Sequence, residues 1–60
     1  MIPYNNETRQ QYIDRSNQVN LEMAERHCEL GHDLTMYQYL LNIAMAEEIY
    51  GTHWDKINKK

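Results

Sequence analysis

Sixty residues, a single cysteine and a net charge of −3 set narrow limits on what this chain can be. A chain this short makes one domain, and a core of that size rarely supplies more than ~3–5 kcal/mol without disulfides, a metal or a second copy. Cys28 cannot pair within the chain, no apolar stretch approaches the ~20 residues that cross a bilayer, and no basic stripe exists to neutralise phosphates.

The N-terminal MIPYNNETRQQ has no basic start followed by an apolar run, so it does not read as a secretory signal. Residues 1–7 are expected to be extended. The only cysteine and the absence of a spanning segment point to a soluble, cytoplasmic chain. Three threonines then repeat one helix-start pattern. Thr8, Thr35 and Thr52 each precede by three residues a side chain able to reach back (Gln11, Gln38 and Asp55). Leu34 and Tyr39 have the spacing of a hydrophobic staple, and Gly31 and Gly51 fall where helices should end. The punctuation predicts helices over 8–30, 36–50 and 53–58.

Helix 1 reads as amphipathic. Tyr12, Ser16, Val19, Met23 and Leu30 share one face at 100° per residue, widened by Ile13, Ala24 and His27. Asn17 and Asn20 dilute the stripe. Asp14, Arg15, Gln18, Glu22, Glu25, Arg26 and Glu29 take the opposite side. At ~1.5 Å per residue helix 1 outruns helix 2, so its first turns, with Tyr12 and Ile13, are expected to overhang without cover.

Helix 2 carries two apolar faces: Tyr37, Leu40, Leu41, Ala44 and Met45 on one, Tyr39, Ile43, Ala46 and Tyr50 on the other. One face can pack on helix 1 as an antiparallel hairpin. The other must meet the N-terminal segment, the short Trp54/Ile57 helix, or something outside the chain. The three lysines Lys56, Lys59 and Lys60 read as a solvated tail that suits a helix C-terminus.

The residues that look most chemical are His27, Cys28, His32 and His53, all suitable zinc ligands. Neighbouring His27 and Cys28 diverge by about 100° on a helix, which disfavours one shared ion. No metal, cofactor or small-molecule substrate is expected. A cysteine nucleophile would need a pocket, an orienting group and oxyanion donors, and Glu47 and Glu48, being adjacent, cannot form a carboxylate dyad. Enzyme activity is not expected. A helix-turn-helix needs a polar recognition helix, whereas the helix after Gly31 is MYQYLLNIA, so direct nucleic-acid binding is not expected either.

Five tyrosines, one tryptophan and four methionines, with no phenylalanine, form an interface-like palette. The expectation is an all-α antiparallel hairpin, with a long helix 1, an apolar helix 2 and a short C-terminal helix, completed by oligomerisation. Its role would be non-enzymatic protein binding, as a homodimer or against a larger cytoplasmic protein that it regulates or inhibits, in the manner of phage or mobile-element accessory proteins. Tyr39, Ile43, Ala46, Tyr50 and Trp54 are the candidate contact residues. Two alternatives stay open. One is an acidic surface (Glu22, Glu25, Glu29) that imitates a nucleic acid. The other is a metal-stabilised mini-domain.

Overall fold

The computed structural model describes residues 2–58. Met1, Lys59 and Lys60 lie outside the described residues, and with them most of the expected lysine tail. The described chain is all-α, an antiparallel helical hairpin. Helix α1 spans Arg9–Glu29 and α2 spans Asp33–Ala44; a π-helical turn at Glu47–Gly51 then leads into α3 at Thr52–Ile57. The result is a rod of 43 × 18 × 13 Å.

Helix α1 begins as its sequence implies. Thr8 is extended, its side chain accepts from the Gln11 N–H, and the Gln11 side chain accepts from the Thr8 N–H. Two of the free N–H groups at the helix start are thereby satisfied. The far end closes on Gly31 at φ +79°, where the His32 N–H donates to the His27 carbonyl and the Gly31 N–H to the Cys28 carbonyl. This doubly bonded stop needs a left-handed residue, which glycine adopts without a Cβ penalty.

Beyond that point the expected punctuation fails. The turn is so short that the chain is helical again by Asp33, so Thr35 lies inside α2 and caps nothing. Asp33 instead places a negative charge in the first turn, where the helix dipole favours it. Leu34 is exposed, not stapled to Tyr39. Gly51 does not end a helix. It lies in the helical region at φ −62°, and Thr52 follows it without a side-chain cap. The π-turn and α3 therefore continue α2 as one bent rod.

That continuation covers α1 along its length. His27 meets Tyr39, Asn20 meets Tyr50, Tyr12 meets His53 and Arg9 meets Asp55, an order that is antiparallel throughout. The expected overhang is absent: Tyr12 is 0% exposed and Ile13 is buried. The buried line on α1 is Tyr12, Ile13, Ser16, Asn20 and Ala24, so the inward face is rotated from the one expected. Met23 and Leu30 are exposed, and the polar Asn20 takes a core position.

Candidate interaction surface

The seam between the two arms is polar and aromatic. The Asn20 amide donates to the Tyr50 hydroxyl at 2.6 Å and to the Ser16 carbonyl at 2.9 Å, and it accepts from the Asn42 amide at 3.4 Å. A buried amide satisfied in this way avoids a desolvation cost of about 1–3 kcal/mol. Tyr12 and Tyr50 meet edge to face at 6.0 Å, and the Tyr12 hydroxyl lies 2.6 Å from His53 Nδ1. Burial pushes the Tyr12 phenol above its ordinary value, against the pull of Arg15.

A strap from the N-terminal segment closes this end. Arg15 donates to both Glu7 carboxylate oxygens at 2.7 and 2.9 Å and to the Ile2 carbonyl at 2.9 Å, and its guanidinium lies 4.1 Å from the Tyr4 ring centre. Those Arg15 N–H groups hold the Glu7 carboxyl below its ordinary value, with burial opposing them and the Tyr4 N–H assisting. The Trp54 indole donates to the Glu7 carbonyl at 3.2 Å, so α3 is tied to the strap.

These contacts place the five expected contact residues. Ala46 is buried, and Tyr39, Ile43, Tyr50 and Trp54 are half-buried. Tyr39 stacks on His27 at 5.4 Å, Tyr50 bonds Asn20, and Trp54 holds the strap. They are drawn into the intramolecular seam and are not gathered on an open surface. The sequence pattern alone could not choose between the two faces of α2, because the inward line of α1 contains Ser16 and Asn20, which count as polar. The available signal was Tyr50 and Asn42, two hydrogen-bonding side chains able to satisfy a core amide.

The other face of α2 is bare. Leu34 is 89% exposed and Tyr37 64%, followed by Leu40, Leu41 and Met45, each about two-fifths exposed. Leu34, Tyr37, Leu41 and Ala44 recur at intervals of three, four and three, which aligns them along one side of the helix. Leu40 joins this stripe to a shallow groove of about 420 Å³ between α1 and α2, where Leu21, Ala24, Cys28 and Met36 are bordered by Glu25 and Glu29. Soluble monomers seldom expose contiguous apolar patches beyond a few hundred Å², and such patches usually mark a contact site.

Cys28 is exposed and faces the groove, while His27 turns into the seam, its Nδ1 shielded and unpaired and its ring 5.7 Å from that of His32. Among the described residues no three of His, Cys, Asp or Glu converge as metal ligands would. No helix among them is long and apolar enough to cross a membrane. No protein-family model matches the chain, and no match was found among curated proteins or solved structures.

Proposed function

We propose that this chain is a small non-enzymatic interaction module that self-associates through the outer face of α2 and, in that form, regulates a larger cytoplasmic protein. The observation that carries this reading is the exposed Leu34–Tyr37–Leu41 stripe on a helix whose opposite face is already engaged. A core this small gains most from a partner that covers such a face. A second copy is the simplest cover, since a two-fold pair buries the same patch twice. The exposed area of this face is on the order of 500 Å² per copy, below the ~800 Å² that each partner buries in a standard interface, but a two-fold pair approaches the ~1,000 Å² in total that a specific contact should clear. Pairing through α2 leaves exposed Glu22 of α1 open to a larger protein, while Glu25 and Glu29 border the groove beside the paired face. A lone exposed thiol at Cys28 suits a reducing compartment.

The test is molar mass by light scattering on a sizing column over a hundredfold range of concentration. The native chain is expected to move from monomer to dimer, and Leu41→Asp to remain monomeric with its helicity intact. A native chain that stays monomeric at the highest concentration overturns the reading.

A further inference from the structure

We infer that the two copies pair antiparallel, α2 against α2, with Leu34 of each seated on Ala44 of the other; this rests on the self-association proposed above. The stripe has the a/d spacing of a short coiled-coil seam, with Leu34 and Leu41 at one position type and Tyr37 and Ala44 at the other. Its ends differ in relief. Leu34 projects almost fully into solvent at the start of α2. At the other end Ala44 offers only a methyl group, and with Met45 it borders a depression of about 500 Å³ reaching Arg9, Glu48 and Thr52.

Parallel pairing would set Leu34 on Leu34, Tyr37 on Tyr37 and Ala44 on Ala44, so that two rings meet in one layer and only methyl groups in another. Such uneven layers are costly in a close-packed interface. Antiparallel pairing sets Leu34 against Ala44 at each end and Tyr37 against Leu41 twice in the middle. Every layer then combines a larger side chain with a smaller one. Opposed helix dipoles also favour this sense over the parallel one. Leu40, on the flank of the stripe, carries the contact towards the groove beside Leu21 and Met36. A two-fold pair of this kind closes on itself and stops at the dimer.

Engineered cysteines in a Cys28→Ser background distinguish the outcomes. Positions 34 and 44 lie about 15 Å apart along one helix, beyond the ~7 Å limit for a disulfide. A Leu34→Cys/Ala44→Cys chain therefore cross-links only between copies. Under a glutathione redox couple this double variant is expected to give a covalent dimer on a non-reducing gel, and Leu34→Cys alone is expected to give none. If the double variant no longer dimerises when reduced, mixing Leu34→Cys with Ala44→Cys chains supplies the same readout with one substitution per copy. A covalent dimer from Leu34→Cys alone overturns the antiparallel sense. Failure of both 34–44 combinations, while light scattering still shows a native dimer, overturns the register and leaves self-association standing. A monomeric native chain removes both.

Discussion

At the end of the rod where the N-terminal strap meets α3, Tyr12 is enclosed by Tyr50, His53 and the Glu7–Arg15 strap, whereas at the turn end Leu30, Leu34 and Tyr37 stand in solvent. Both ends have large side chains available, so composition does not explain the contrast. What differs is the number of elements that arrive there. α1, the π-turn, α3 and the strap converge on Tyr12, but only α1 and α2 reach the tight Gly31 turn. Two helices side by side can shield only the faces they turn toward each other, and a third element is needed to enclose a side chain. The closed end is where this chain holds its fold, and the open end is where it has surface to offer.

The sharpest way to break that contrast is to truncate one large side chain at each end. Tyr12→Ala removes a fully buried ring and is expected to cost about 3–5 kcal/mol, the range found for large aromatic truncations. That equals the entire margin of ~3–5 kcal/mol available to a core of this size. Circular dichroism should show no cooperative melt. Leu34→Ala, at concentrations where the chain is monomeric, is expected to shift stability by no more than about 0.5 kcal/mol, as exposed substitutions do. Urea titrations of the two variants check this. A cooperative Tyr12→Ala chain, or an unfolded Leu34→Ala chain, would mean the ends are assigned the wrong way round.

A smaller effect separates the ends by pH. The folded-state value of Glu7 lies below its ordinary 4.5, chiefly because Arg15 donates to it. A lowered carboxyl value contributes stability that is complete above the unfolded value and is lost as pH falls through the folded one. The native chain should therefore melt above Glu7→Gln by a constant margin near neutral pH, and the margin should shrink from about pH 4.5 downward. A margin unchanged between pH 7 and pH 3 would show that the strap does not depend on this ion pair.

Much of this architecture is legible in the sequence, and the features that depart from the sequence pattern share a physical cause. The capping box at Thr8 and Gln11 and the left-handed Gly31 are local devices, set by residues within one turn of each other. Thr35 and Thr52 carry the same local pattern. A threonine caps only if the chain before it is not helical, which depends on the path the whole chain takes. The two apolar faces of α2 were equally visible in the sequence. Which one turned inward depended on Asn20, whose amide finds Tyr50 and Asn42 across the seam. No reading of apolar spacing weighs such a pairing.

The two glycines, one at each end, give the finest test of this distinction between local and tertiary causes. Gly31 holds a positive φ with nothing crowding its Cβ position, so Gly31→Ala is expected to cost about 1 kcal/mol from backbone strain alone. Gly51 is the reverse case. Its φ is ordinary for a helix, and a Cβ there would come within 2.8 Å of Arg9 Cζ, so the guanidinium must swing away. That movement gives up the contacts of Arg9 with Glu47 at 3.5 Å and Asp55 at 3.2 Å, which are solvent-exposed and of a kind worth about 0–1 kcal/mol. Replacing glycine by alanine within a helix returns roughly 0.8–1.0 kcal/mol. The two contributions nearly cancel, and Gly51→Ala is expected within about 0.5 kcal/mol of the native chain in urea titration, a span typical of surface substitutions. A cost above that of Gly31→Ala would mean that Arg9 cannot move, making its passage over Gly51 a fixed part of the closed end and not a contact the chain can trade.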